Sequence, residues 1–113
     1  MRLPTERLRD IIEAIEYIER YTAQGRTAFD QDELIQNWVV HHLQIVGEAA
    51  NALPESVRIL DSRVPWRNII GMRHILVHHY FVVDLAATWD VVETHLPNLK
   101  RAVSALLVQL EQP

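Results

Sequence analysis

The segment Pro65–Phe81, PWRNIIGMRHILVHHYF, carries the most information about this chain. Its apolar residues recur at helical spacing, with Ile69, Met72 and Leu76 on one stripe, and this pattern predicts a long helix. The window of residues 62–83 holds three Arg and three His but no Asp or Glu, whereas the whole chain has 15 acidic and 11 basic residues. A base-only window in an acidic chain is where we expect an anion to bind.

Composition limits the remaining possibilities. With 113 residues, 49% of them apolar, residues 1–113 are expected to form a single domain. The net charge of −4 argues against binding nucleic acid through a general positive surface, although a local basic site remains possible. There is no Cys for a disulfide or a thiolate metal site, and no apolar run approaches the ~20 residues of a membrane span. The charged N-terminus lacks the apolar core of a signal peptide, so we expect a cytoplasmic protein.

Two long amphipathic helices are predicted before the central segment. The first runs from Arg2 to Gln24, and Gly25 ends it. After a loop over residues 26–29, Asp30 and Glu33 have the spacing of a capping box, so the second helix is expected over residues 31–53. The apolar stripes of the two helices are Leu8, Ile11, Ile12, Ile15 and Ile18, and Leu34, Trp38, Ile45, Ala49 and Ala52.

The second helix carries two further patterns. The run of residues 47–50, GEAA, has small side chains that would let another helix approach closely. His41, Gln44 and Glu48 form a polar line at spacings of three and four residues. This line is either a solvated helix face or a surface that faces a subunit or a ligand.

The rest of the chain also indicates helices. Residues 54–63 are expected to be irregular or to form a short helical turn, and the central helix should end near residues 80–83. Asp84 is a candidate N-cap for a helix over residues 85–96, and Pro97 either kinks it or starts a fifth helix that ends near Leu110. No segment alternates strictly, so no sheet is expected. The predicted fold is all-α, an antiparallel bundle of four to five helices.

The polar residues of the central segment suit phosphate chemistry. On an ideal helix Arg73 and His78 lie about 140° apart, so they converge on one anion if the long side chain of Arg73 wraps around the helix, if the helix distorts near its end, or if a second subunit completes the site. In RNA cleavage without a metal, the ribose 2′-hydroxyl attacks the adjacent phosphorus. A His transfers the proton and an Arg holds the non-bridging oxygens. No nucleophile from the protein is needed.

Other interpretations of these residues stay open. A single Arg on a helix is often part of a surface ion pair, a His among apolar neighbours is often a packing residue, and Tyr80 could end a helix with its hydroxyl in water. His74 and His78 also have the i, i+4 spacing of a shared metal site, which His41 or Glu48 could complete. A purely structural bundle is the remaining alternative.

The joined string Gly71–Phe81, GMRHILVHHYF, resembles the signature of the HEPN superfamily, and in particular its HepT-like toxin branch. Within it, Arg73 and His78 form an Arg-x4-His pattern that is followed by Tyr80. The resemblance extends to the Ile-rich first helix, IVGEAA at residues 45–50, VPW at residues 64–66, Val83-Asp84 and Leu96-Pro97-x-Leu99.

This resemblance implies an HEPN-like homodimer whose motif helices line one cleft. Arg73 would hold the scissile phosphate of an RNA, and His78 would be the acid–base residue of a metal-independent endoribonuclease that needs no cofactor. His74 would support them, Tyr80 would be modified with AMP by a minimal nucleotidyltransferase antitoxin, and His79 is assigned no role. The chain would then be the toxin of a type II toxin–antitoxin module. The alternative is a non-catalytic nucleotide- or RNA-binding subunit of a nucleotidyltransferase complex.

Overall fold

The protein folds almost entirely into helices, which confirms the predicted all-α class. The structure is a computed structural model that describes residues 2–78 and 82–112, with only the backbone of His78. None of the described helices is long and apolar enough to span a membrane. The elements in chain order are α1 (Pro4–Thr22), α2 (Arg26–Gln31), α3 (Glu33–Ala52), α4 (Glu55–Arg58), a 3₁₀ turn (Ile59–Asp61), α5 (Trp66–Ile70), α6 (Met72–Leu76), β1 (Val77–His78), β2 (Val82–Val83), α7 (Leu85–Asp90), a π-helical turn (Val91–His95) and α8 (Leu96–Glu111).

Helices α1, α3 and α8 form the body of the bundle. The indole Nε1 of Trp38, near the start of α3, donates to the carbonyl oxygen of Tyr17, near the end of α1, at 2.9 Å. Lys100, early in α8, lies 2.8 Å from the carboxylate of Glu19, late in α1. Each pair joins the start of one helix to the end of the other, so α1 runs antiparallel to both α3 and α8.

The core lies between these helices. The predicted stripe of α1 is confirmed: Leu8, Ile11, Ile15 and Ile18 are fully buried, and Ile12 packs against them partly buried. Burial of each such side chain contributes about 1.5–3 kcal/mol before the cost of ordering the chain. The late stripe of α8 is also placed as expected, with Leu99, Val103 and Leu106 buried and Leu110 partly buried.

The start of α3 differs from the prediction. Residues 26–31 form the short helix α2 rather than a loop, and Asp32 caps α3 in place of Asp30. The carboxylate of Asp32 accepts hydrogen bonds from the backbone of Leu34 at 2.9 Å and Ile35 at 3.4 Å. Asp30 instead pairs with Arg26 inside α2. Leu34, predicted to be buried, is 81% exposed, whereas the adjacent Ile35 packs against the core, so Leu34 lies on the outer side of the first turn of α3.

The central segment is also shorter as a helix than predicted. The helix ends at Leu76, and Val77 and His78 pair antiparallel with Val83 and Val82. The expectation of no sheet is therefore wrong, because β1 and β2 form one antiparallel ladder of two residue pairs. β-Branched residues favour the extended conformation, and the backbone N–H of Asp84 donates to the carbonyl oxygen of Leu76 at 2.7 Å, which satisfies a helix end.

The flanking predictions hold in outline. Residues 54–63 form the short α4 and the 3₁₀ turn, and Asp84 caps α7 by accepting a hydrogen bond from the backbone of Ala87 at 3.0 Å. The helix predicted over residues 85–96 is divided by the π-helical turn, and Pro97 lies in the first turn of α8. Since Pro has no backbone N–H and its ring crowds the preceding turn, the wider turn accommodates it.

Candidate functional site

The segment that carries the motif is fixed to the bundle at its N-terminal end. Pro65 starts it, and Trp66 is buried against the core. The indole Nε1 of Trp66 donates to the carbonyl oxygens of Arg58 at 3.0 Å and Asp61 at 3.1 Å. These two hydrogen bonds hold the start of α5 against the 3₁₀ turn. They also give a hydrogen-bond partner to a backbone carbonyl oxygen at the end of α4.

A close contact with α3 fixes the middle of the segment. A Cβ atom built on Gly47 would lie 3.1 Å from the carbonyl oxygen of Ile69 and 3.3 Å from that of Ile70. Because the side chain of Gly47 is a single hydrogen atom, the backbone of α5 packs directly against α3. The expectation that the small residues of α3 allow a close helix approach is confirmed.

Arg73 and His74 lie on α6, between two residues that enter the core. Met72 and Leu76 are buried, Arg73 is half-buried and His74 is exposed. The helix thus holds Arg73 at the boundary between core and solvent. Such a position limits the conformations of the side chain, because its stem packs against apolar neighbours.

His78 lies in β1, beyond the end of the helix. The premise of a shared helical face for His74 and His78 is therefore wrong, and the ideal angle of about 140° between Arg73 and His78 does not apply. Among the residues that the structure describes, no group of three or more His, Asp or Glu side chains could hold a metal ion. Tyr80 and His79 lie outside the described residues.

The polar line on α3 is accessible. His41, Gln44 and Glu48 are exposed, and the amide of Gln44 donates to the carboxylate of Glu48 at 3.1 Å. This placement agrees with a solvated face, and a role in binding a subunit or ligand stays a prediction. The neighbouring His42, about which the sequence pattern predicts nothing, is buried, and its Nδ1 lies 2.7 Å from the carbonyl oxygen of Trp38.

Charges near the start of the segment differ in their partners. Asp61 accepts hydrogen bonds from the side chain of Arg63 at 3.2 Å and from its backbone at 3.1 Å. The side-chain bond with Arg63 lowers the pKa of Asp61 and raises the pKa of Arg63. Within the described ranges no carboxylate lies within ion-pair distance of Arg67, which is exposed on α5.

Two cavities flank the motif segment. The larger is a groove of about 710 Å³ between α5–α6 and α8, lined mainly by apolar side chains that include Met72, Ile75 and Leu99. The smaller is a depression of about 480 Å³ on the side of α4, and it contains Arg58, Ser62 and Arg67. Arg67 belongs to the basic window of residues 62–83, and no local pattern predicts either cavity, because both depend on packing between helices.

Comparisons with known proteins agree with this architecture. A family model described as "Ribonuclease HepT-like" matches residues 11–106, which include the whole motif segment. A Thermococcus cleftensis protein named "Probable ribonuclease HepT" is 38% identical over 96 residues, which are 82% of this chain and 86% of that protein. A Caldanaerobacter subterraneus protein named "Putative RNase" is 34% identical over 108 residues, which are 95% of this chain and 96% of that protein.

A further relative is longer. A Methanocaldococcus jannaschii protein named "Gamma-glutamylcyclotransferase and putative RNase" is 36% identical over 106 residues, and the match covers 93% of this chain but 48% of that protein. This chain therefore spans about half of that relative. No solved structure matches significantly. Ribonuclease activity is the function that these matches support.

Proposed function

Because this chain belongs to the HepT-like ribonuclease family, we propose that it cleaves RNA without a metal ion, through Arg73 and His78. The observation that carries the proposal is the intact Arg73-x4-His78-x-Tyr80 string inside the acid-free window of residues 62–83. The family match spans this window, and the structure places Arg73 half-buried at the surface of α6. Within this window no carboxylate of the same segment competes for a bound phosphate.

The proposed reaction is an internal transfer. The 2′-hydroxyl of the ribose loses its proton to a general base and attacks the adjacent phosphorus, and the bond to the 5′-oxygen of the next nucleotide breaks. The products are a 2′,3′-cyclic phosphate and a 5′-hydroxyl, which takes up a proton. His78 is the acid–base residue, since an imidazole titrates near neutral pH. Arg73 stabilises the negative charge that builds on the non-bridging oxygens.

His74 is proposed to support this chemistry. It is exposed next to Arg73 on α6, where its ring can orient a bound phosphate. Tyr80 is proposed as the acceptor of AMP from a minimal nucleotidyltransferase antitoxin, with this chain as the toxin of a type II module in the cytoplasm. The adduct would add bulk and negative charge where the RNA phosphate binds, and so would silence the enzyme.

A homodimer is proposed as the active form. The groove of about 710 Å³ beside the motif segment is lined largely by apolar residues, among them Met72 and Ile75. Ile75 is 58% exposed and lines this groove, so it offers apolar surface to a second copy of the chain. A second copy packed over this face would bury it and bring two motif segments towards one cleft.

The decisive experiment measures RNA cleavage by the purified chain in excess EDTA, beside His78→Ala and Arg73→Ala. We expect cleavage by the parent and a loss of about 10²–10⁴-fold in both variants. Arg26→Ala is the matched control, because Arg26 is an exposed arginine of α2 that pairs with Asp30. Intact mass should first show that Tyr80 carries no adduct.

The opposite outcome favours the alternative function. If the unmodified parent cleaves none of several RNA classes but binds RNA or nucleotide, the chain is a non-catalytic subunit of a nucleotidyltransferase complex. If cleavage stops in EDTA and returns with a divalent metal, the metal-independent mechanism is wrong.

A further inference from the structure

We propose that the depression beside α5, bounded by Arg58, Ser62, Arg67 and Asn68, binds a nucleotide of the RNA that flanks the scissile bond. Arg67 is then a positioning residue that holds a phosphate of the strand, distinct from the Arg73–His78 motif. The inference deepens the proposed function and rests on it, since it names RNA of more than two nucleotides as the preferred substrate.

The arginines around the depression differ in their ion-pair partners. Three arginines lie around the depression or next to it, and two of them are neutralised locally: Arg58 pairs with Glu55 at 3.2 Å and Arg63 pairs with Asp61 at 3.2 Å. Arg67 has no such carboxylate in the described parts of the chain. Glu55 also lines the depression, but its carboxylate pairs with Arg58, so the exposed guanidinium of Arg67 is left to form a bidentate contact with a phosphate group.

The position of Arg67 on the α5–α6 segment also favours contact with the RNA strand that the motif binds. Arg67 and His74 are seven residues apart, so they lie on nearly the same side of the α5–α6 segment. Gly71 continues the helical hydrogen bonding between them, with its N–H on the carbonyl oxygen of Arg67 at 3.1 Å and its own carbonyl oxygen on the N–H of His74 at 3.2 Å. The rise between Arg67 and Arg73 is roughly 9 Å, so an RNA strand of a few nucleotides is long enough to reach both residues.

The shape and chemistry of the depression also favour a nucleotide as the ligand. Its volume of about 480 Å³ is in the range of pockets for small ligands, and its walls include the apolar residues Ile59, Trp66 and Ile70. Trp66 is held by its two hydrogen bonds to backbone carbonyl oxygens, so this wall is ordered before a ligand binds. Ser62 and Asn68 add neutral hydrogen-bonding groups. A charged rim around an apolar surface suits a nucleotide, whose phosphate and base need different surroundings.

The test measures binding of a fluorescent single-stranded RNA to the His78→Ala chain, which binds without cleavage. Arg67→Ala is added to this background, with Arg26→Ala as the matched control. We expect Arg67→Ala to weaken binding about tenfold. The slope of log K against log salt should fall by about 0.7, the value for one phosphate contact to a single strand. Arg26→Ala should change neither quantity.

Kinetic measurements distinguish a role of Arg67 in positioning the RNA from a role in the stability of the protein. In the active chain, Arg67→Ala should raise KM for an oligonucleotide and leave kcat nearly unchanged, and Arg67→Lys should recover part of the loss. A dinucleotide, which has no flanking phosphate, should be cleaved equally by the parent and Arg67→Ala. A structural role for Arg67 would lower the activity on both substrates.

The outcomes of the two proposals are distinguishable. If the parent cleaves RNA but Arg67→Ala keeps its affinity and salt slope, the nucleotide subsite is wrong and the ribonuclease stands. If no RNA is cleaved but Arg67→Ala still loses affinity and salt slope, the subsite stands on a binding module. If Arg67→Glu changes the mass of the complex in solution and leaves RNA binding unchanged, the face binds protein and the inference is overturned.

Discussion

The α1–α3 pair and the α5–β1 segment are built in opposite ways. Helices α1 and α3 are uninterrupted over 19 and 20 residues, whereas the motif segment consists of two helices of five residues each and a strand of two residues. The long helices bury continuous apolar stripes. The broken segment keeps several polar side chains near the surface and changes backbone conformation between Arg73 and His78.

Because of this difference, we expect the α1–α3 pair to contribute mainly to stability and the motif segment to contribute mainly to function. A continuous stripe gives each helix many buried neighbours, so burial along the α1–α3 pair contributes strongly to the free energy of folding. The motif segment has fewer residues to bury, and it depends on Trp66 and on the contact with Gly47 for its position. Changes in the first region should therefore act on stability, and changes in the second should act mainly on cleavage.

The largest effect on stability is expected from Ile15→Ala in α1. Ile15 is fully buried in the core, so its truncation should cost about 2–5 kcal/mol of the free energy of unfolding. Leu34→Ala is the control, since Leu34 is 81% exposed and its change should stay within about 0.5 kcal/mol. Urea denaturation measures both. Equal effects would show that α1 does not form the core as described.

Gly47→Ala tests the contact between the two regions. The new Cβ would lie 3.1 Å from the carbonyl oxygen of Ile69, so α5 must move away from α3, at a cost of about 1–3 kcal/mol. Gly71→Ala is the comparison for stability alone, because its Cβ would lie 3.6 Å from the nearest carbonyl oxygen, that of Arg67. Thermal unfolding and RNA cleavage should both be measured, and we expect Gly47→Ala to impair both. A neutral result would place α5 farther from α3 than it lies here.

Asp32→Ala tests which residue begins α3. The carboxylate of Asp32 caps the first turn, so its loss should cost about 1 kcal/mol. Asp30→Ala removes an exposed ion pair with Arg26 and should cost about 0.5 kcal/mol or less. The two variants are compared by urea denaturation. A larger loss of stability for Asp30→Ala than for Asp32→Ala would identify Asp30 as the capping residue, as the capping-box spacing predicted.

The smallest effect concerns Asp61, at the start of the motif segment. The bond with Arg63 lowers the pKa of Asp61 from its ordinary value of 3.8, so this carboxylate stabilises the fold above that value. The contribution is lost as the pH falls through the lowered pKa. Asp61→Asn should therefore be less stable than the parent at pH 7, and the difference should shrink when the pH falls well below 3.8. An equal difference at both pH values would assign the effect to packing.

The candidate site was predictable where local chemistry decides it. The basic window, the Arg73-x4-His78 string and the Asp84 cap all follow from residue types at short spacings. The helix end at Leu76 did not follow, because residues 77–78 close a ladder with residues 82–83, and their pairing depends on where the chain returns. The identity of the cap was missed for a similar reason, since Asp30 and Asp32 are both suitable in type and only the formation of α2 selects Asp32.

The sequence by itself determined the all-α class, the buried stripes of α1 and α8, the close approach of another helix at the small residues of α3, and the segment in which the proposed chemistry lies. These properties depend on periodicity and residue type, which act over a few neighbouring positions. Only the tertiary structure decided that the motif crosses from helix to strand and that Arg67 borders a depression with Arg58. Such features arise from contacts between segments distant in sequence, and no local pattern encodes which segments meet.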